Sequence, residues 1–203
     1  SNKTFVEAFP NEQLPAWISG HVHAFNFFGG VTKATVPDNT KTAVVRPCRY
    51  EPQLHRTYQE LAEHYGTVIL PARIKKPRDK AKVETGVQIV ERQILAVLRH
   101  QRFFSVAALN QAMLPRLAQL NAQPFQKLDG SRDQWFDAQE KSQLLPLPAQ
   151  AFQLATWSVA TVNIDYHVVV DHHYYSVPHP LIHQPLDVRL TEHTVELFQR
   201  GKR

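Results

Sequence analysis

The sequence predicts an α/β region followed by a small all-β unit. Three observations carry that expectation. Apolar residues at helical spacings of three and four alternate with short β-branched runs through the first hundred residues. Further helical patterns fill the stretch to about residue 150. From Phe152 onward the apolar period drops to two. At 203 residues and 43% hydrophobic, the chain is long enough for one core or two, since domains commonly run ~100–150 residues. The division expected is an α/β region over 1–100, a helical connector and linker over 101–150, and a small antiparallel barrel or sandwich over 151–203.

Taken in order, Lys3 to Phe9 reads as a short strand ended by Pro10. Leu14, Trp17, Ile18, Val22, Phe25 and Phe28 then mark one face of a helix, with Gly29 and Gly30 as its stop. Thr32 to Val36 reads as a strand closed by Pro37, and Thr40 to Tyr50 as a loop. Leu54, Tyr58, Leu61 and Tyr65 give a second helix capped by Gly66, and Thr67 to Ala72 a β-branched strand. Pro77 suits the first position of a long helix to about His100, with Val83, Val87, Val90, Ile94 and Val97 as its apolar stripe. Ser105 caps a further helix, expected to kink or break near Pro115. Ser131 with Gln134 forms a capping-box pattern before a short one. Leu145-Pro146-Leu147-Pro148 reads as an extended linker. In the last part, Val162, Ile164, Tyr166, Val168 and Val170 alternate, as do Leu186, Val188 and Leu190. Breaks at Asp171-His172-His173, Pro178 to Pro185 and Glu192-His193 separate the strands, and Gln199-Arg200-Gly201-Lys202 resembles a hairpin turn.

Composition narrows the function classes. The single cysteine, Cys48, excludes an internal disulfide framework and a Cys-based zinc knuckle, and suits a reducing compartment. No stretch approaches the ~20 apolar residues that cross a bilayer, and the start lacks a signal-peptide layout, so a soluble cytoplasmic protein is expected, with no membrane partner. No GxGxxG or phosphate-loop motif is present. His21 with His23, and His172 with His173, lack an HExxH frame and Cys partners, and read as surface or turn histidines. Trp17, Phe25, Phe27 and Phe28 read as core. Twenty-three Lys and Arg against 18 Asp and Glu leave +5 and a pI near 9.4, a balance that suits a polyanionic partner.

The sharpest candidate site joins Asp38, just past a strand's carboxyl end, to Glu84 in the long helix. Functional groups favour the first position in open α/β sheets, and two hard oxygen ligands from separate elements can hold Mg²⁺. Six cations, Arg73, Lys75, Lys76, Arg78, Lys80 and Lys82, fall within ten positions leading into Glu84. A solvated helix end is the plain alternative, with Lys80 and Glu84 as a weak i,i+4 pair in its less favourable orientation. Yet cations at a helix N-terminus oppose the macrodipole, so local stability does not account for the cluster, whereas a phosphate backbone would.

Glu7-Ala8-Phe9-Pro10, the run Ala24 to Val31 (AFNFFGGV), Val36-Pro37-Asp38-Asn39, the run Tyr58 to Ala62 (YQELA) and the run Lys76 to Glu84 (KPRDKAKVE) resemble, in the same order, the blocks of IstA-type insertion-sequence transposases. The runs Asp165-Tyr166-His167-Val168 and Tyr174 to Pro178 (YYSVP) are similar to the small β-barrel that follows the core in such proteins. The resemblance implies part of an RNase H-like integrase core over 1–100 and a C-terminal SH3-like barrel over 151–203. It implies that Asp38 and Glu84 are the second and third members of an Asp, Asp, Glu triad, holding two Mg²⁺ (or Mn²⁺) ions in the intact enzyme. Their carboxylates are then expected within roughly 8 Å of each other, around ions ~3.5–4 Å apart. Double-stranded DNA is the implied partner, held by the cations from Arg73 to Lys82, with a helper ATPase and assembly of several copies on DNA. The triad's first aspartate falls before the region corresponding to Ser1, so the chain alone is expected to be inactive; a noncatalytic DNA-binding or protein-interaction module of transposase origin is the alternative. The barrel is expected to bind DNA or another protomer.

Overall fold

The computed structural model describes residues 1–37, 44–46, 53–70 and 77–203, with the backbone alone at 44–46, 53–54 and 77–83. The chain forms two compact units, Ser1–Ala151 and Phe152–Arg203.

In the first unit, α1 (Leu14–Phe28) ends at Gly29 in the left-handed region (φ 69°), where the Gly29 and Gly30 amides close on the carbonyls of Asn26 and Phe25. β1 (Ala34–Thr35) follows. After β2 (Val44–Arg46) and β3 (Gln53–Leu54), α2 (Arg56–Tyr65) ends at a left-handed Gly66, and β4 (Val68–Ile69) comes next. β1 and β4 pair in parallel, Ala34 with Val68 and Thr35 with Ile69, and the Val68 and Leu70 amides donate to the carbonyls of Lys33 and Thr35. Both strands lie inside the predicted runs but are shorter; the end of the second run, Pro71 and Ala72, lies outside the described residues. The predicted Thr40–Tyr50 loop instead contains β2, antiparallel to β3. Its β-branched Val44-Val45 pair finds a ladder partner downstream that local propensity does not show.

The long helix begins at Pro77 as predicted: α3 (Pro77–Val90) runs through a π turn (Glu91–Leu95) into α4 (Ala96–Leu98). Ile94 and Leu98 are buried, whereas Val87 and Val97 of the predicted stripe are 52% and 45% exposed; the extra residue in the π turn shifts the phase of the residues after it relative to those before it. α5 (Val106–Ala122) is capped by Ser105, whose side chain accepts from the Ala108 amide, and continues through Pro115 without the predicted break. Met113, Leu117 and Leu120 on either side of the proline pack into one cluster with Ile94 and Leu98, and that burial holds the helix together across the missing backbone bond. α6 (Arg132–Trp135) starts with the expected capping box of Ser131 and Gln134.

Two further expectations change. Lys3 to Phe9 forms no strand and joins no sheet among the described residues. Asn121, 2% exposed, accepts from the Thr4 amide and donates to the Thr4 carbonyl, and Asn110 treats Ala8 in the same way. Side-chain amides on α5 thus supply what a neighbouring strand would. The Leu145–Pro148 stretch, read as a linker, is tied to the core at its first residue, since Leu145 and Val31 exchange both backbone hydrogen bonds. Gly30 permits that approach: a Cβ there would lie 2.7 Å from Leu144 Cβ and 2.9 Å from the Leu145 carbonyl oxygen.

The second unit consists of an antiparallel sheet in the order β5 (Thr156–Thr161), β8 (Pro185–Leu190), β9 (Val195–Phe198), and a hairpin of β6 (His167–Val170) with β7 (His173–Ser176). Val162, Val168, Val170, Leu186 and Val188 form its buried core. The predicted run from Val162 to Val170 is not one strand. Asn163 to Tyr166 make a turn closed by the Tyr166 amide on the Asn163 carbonyl, leaving Ile164 75% and Tyr166 46% exposed. The expected hairpin turns form: Asp171 and His172 have φ of 47° and 64°, and Arg200 and Gly201 have 50° and 79°, with Gln199 and Lys202 bridged.

Candidate metal centre and nucleic-acid surface

Parallel pairing of β1 with β4 sends both strands out at the same edge of the sheet. Val36 and the buried Pro37 leave β1 there toward Asp38, and Leu70 leaves β4 there toward the segment that enters α3. This is the carboxyl edge at which open α/β sheets place functional groups. Asp38, Asn39, Arg73, Lys75 and Lys76 themselves lie outside the described residues, as does Cys48.

Glu84 lies about two turns into α3 and is exposed, and among the described residues no ion pair or hydrogen bond engages it. An exposed carboxylate of this kind is a hard oxygen donor suited to Mg²⁺. Arg78, Lys80 and Lys82 occupy the first two turns of the same helix backbone. Among the described residues no group of three or more His, Cys, Asp or Glu side chains is placed to hold a metal.

The histidines divide. His172 and His173 sit exposed at the β6–β7 turn, as read from the sequence. His23 is half exposed and pairs through Nδ1 with the Glu7 carboxylate at 2.8 Å. His21 is not a surface histidine. It lies 2.9 Å from the Trp17 carbonyl through Nδ1, which must therefore carry the proton, and Nε2 accepts from the Tyr58 hydroxyl at 3.0 Å. Burial pushes the His21 imidazole below its ordinary 6.5, partly offset by the bond to Trp17, and burial pushes the Tyr58 hydroxyl up. The signal was present in the sequence: position 21 is three and four residues from Ile18 and Trp17, on the stripe that faces α2. With Trp17, these groups form a polar knot between α1 and α2.

Comparison with known proteins gives these features a context. Residues 147–203 match the family model of the Mu transposase C-terminal domain. Across all 203 residues the chain is 51% identical to a putative transposase for insertion sequence IS408 of Burkholderia multivorans, covering 39% of that protein. It is 48% identical to a putative transposase for insertion sequence IS1162 of Pseudomonas fluorescens, covering 36%. A transposase for insertion sequence element IS21 of Pseudomonas aeruginosa is 28% identical over 94% of the chain and 48% of its own length. The homologues of this chain are insertion-sequence transposases, and the chain spans about two fifths of the length of the first two. Among solved structures, the catalytic core domain of BIV integrase matches with a TM-score of 0.52 at 12% identity, over 70% of this chain and 82% of that domain. That likeness is one of fold, and the fold is RNase H-like. No helix among the described residues is long and apolar enough to cross a membrane.

Proposed function

We propose that these 203 residues belong to the strand-transfer machinery of an IstA-type DNA transposase. The observation that supports it best is the parallel β1–β4 pair, whose shared exit edge leads on one side to Asp38 and on the other to the helix that carries Glu84. Residues 1–100 serve as part of the catalytic core, 101–150 as a helical connector, and 151–203 as an SH3-like barrel. Asp38 and Glu84 would hold Mg²⁺ or Mn²⁺ as ligands, not proton carriers. Two such ions, when bound, supply activation of water or a DNA 3′-hydroxyl and stabilise in-line displacement at phosphorus.

The chain's own residues do the rest. Arg73, Lys75, Lys76, Arg78, Lys80 and Lys82 draw the phosphate backbone toward the sheet edge, each neutralised phosphate releasing counterions. Contacts of this kind position DNA without reading its sequence. A soluble cytoplasmic protein associated with the nucleoid, a helper ATPase and assembly of several copies on DNA complete the reading.

The decisive test is transposition of an insertion element encoding these residues. Asp38→Asn or Glu84→Gln should each reduce it to background, while the purified chain carrying Glu84→Gln binds duplex DNA as well as before or slightly better, through lost repulsion. Retained transposition in either variant would remove the metal-ligand assignment. Loss of DNA binding in Glu84→Gln would instead make that glutamate a structural residue of the noncatalytic module.

A further inference from the structure

From Arg92 to Leu128 the sequence contains no Asp or Glu, yet it carries Arg92, Arg99, Arg102, Arg116 and Lys127. No described residue forms an ion pair with any of these five. This stretch folds as a helical hairpin, α4 to α5, whose turn is Arg99-His100-Gln101-Arg102-Phe103-Phe104. Arg99, His100 and Arg102 are exposed, and Arg99 donates through Nε to His100. The two phenylalanines have opposite fates. Phe103 packs on the Ile94, Leu98, Met113, Leu117, Leu120 cluster and anchors the turn, while Phe104 is 98% exposed.

We propose that this turn is a second contact for duplex DNA, in which Arg99 and Arg102 meet phosphates and Phe104 lies against sugar or base edges. The helix macrodipole favours cations at the carboxyl end of α4, which accounts for Arg99 and His100. It does not account for a wholly exposed phenylalanine, nor for the absence of carboxylates from Arg92 to Leu128. A polyanion accounts for the charge, and an apolar surface beyond its phosphates accounts for the ring. The spacing also fits. α3, the π turn and α4 run continuously from Pro77 to Leu98, about 33 Å at 1.5 Å per residue, so the first turns of α3, with Arg78, Lys80 and Lys82, and the Arg99–Arg102 turn stand at opposite ends of one rod. One turn of duplex is ~34–36 Å, close to the length of that rod. This inference rests on the DNA-handling reading above.

The test is the salt dependence of affinity of the full chain for a random-sequence duplex of about 30 base pairs, roughly three turns. Arg99→Ala with Arg102→Ala should lower the log-log slope by about 1.8, two phosphates at ~0.9 each. Phe104→Ser should weaken binding by the same factor at every salt concentration and leave the slope unchanged. Lys80→Ala with Lys82→Ala serves as the comparator on α3. If that comparator lowers the slope and the turn variant does not, the turn inference fails and the transposase reading stands. If the unaltered chain shows no salt-dependent duplex binding, both fall. If Phe104→Ser leaves DNA affinity intact but abolishes self-association in sedimentation, the turn is a protein contact and the inference is overturned.

Discussion

Residues 1–151 and 152–203 each enclose buried aliphatic side chains, but they differ in charge and in how their parts find one another. Only four of the 23 Lys and Arg fall in 152–203, against five of the 18 Asp and Glu, so the net +5 belongs entirely to the first unit. Six of the 11 histidines are in the second. The second unit closes two of its three strand pairings with near neighbours: β6 meets β7 through a two-residue turn and β8 meets β9 across four residues, while β5 meets β8 across 23. The first relies on distant pairs, Thr4 with Asn121, Ala8 with Asn110 and Val31 with Leu145. Excess positive charge and dependence on closures spanning a hundred residues therefore go together in the first unit, while the second relies on two hairpins and one closure of intermediate length.

The largest effect expected is from cutting each core in turn. Ile94→Ala and Leu186→Ala remove fully buried side chains from the two clusters, and each should cost about 2–5 kcal/mol. Ile94→Ala should also remove salt-dependent DNA binding, because it loosens the helix that carries both cationic patches. Leu186→Ala should leave the salt slope in place even as the near-ultraviolet signal of Trp157 is lost. Equal loss of DNA binding in both variants would erase the proposed division of labour.

A smaller effect sharpens the point about closure. Asn121→Leu keeps the volume but leaves the Thr4 amide and carbonyl without their partner, at about 1–3 kcal/mol. Asn121→Asp keeps the acceptor but loses the donor and buries a carboxylate against the Thr4 carbonyl, and should cost at least as much. Hydrogen exchange at Thr4 should quicken in both variants while amides of β6 and β7 do not change. Faster exchange in the hairpin as well would show that the units are coupled.

The smallest effect concerns acid. Burial holds the folded His21 below 6.5, so the unfolded chain gains a proton first as pH falls. Between the two pKa values the unfolded state binds more protons and stability rises with pH. The contribution is complete above about pH 6.5 and is lost as the pH falls from there toward the lowered folded value. His21→Gln should flatten this part of the denaturation midpoint-versus-pH curve. If the curve is unchanged in the variant, the acid response belongs elsewhere, and the six histidines of the second unit become the place to look.

Much of the local architecture was legible in the residues alone. Gly29 and Gly66 end α1 and α2, Pro77 starts α3, Ser105 and the Ser131–Gln134 box start α5 and α6, and the turns at Asp171-His172 and Arg200-Gly201 close hairpins, all as read. Each is an interaction spanning six residues or fewer, and its free energy is set by groups close together in the chain. The family blocks that singled out Asp38 and Glu84 are likewise contiguous runs, which is why the candidate site could be named before any strand was paired.

What tertiary structure decided was every question whose answer lies on a distant residue. Lys3 to Phe9 has strand composition, but its hydrogen bonds go to Asn110 and Asn121, more than a hundred residues away. Val44 to Arg46 becomes a strand because Gln53 and Leu54 pair with it. Val162 to Val170 alternates throughout, yet the chain turns at Asn163 because Val162 and Val168 must enter the same core. His21 is drawn inside because Tyr58 offers it a hydrogen bond there. Apolar periodicity states which face would gain from burial; which surface arrives to bury it depends on chain closure, and only the folded chain fixes that.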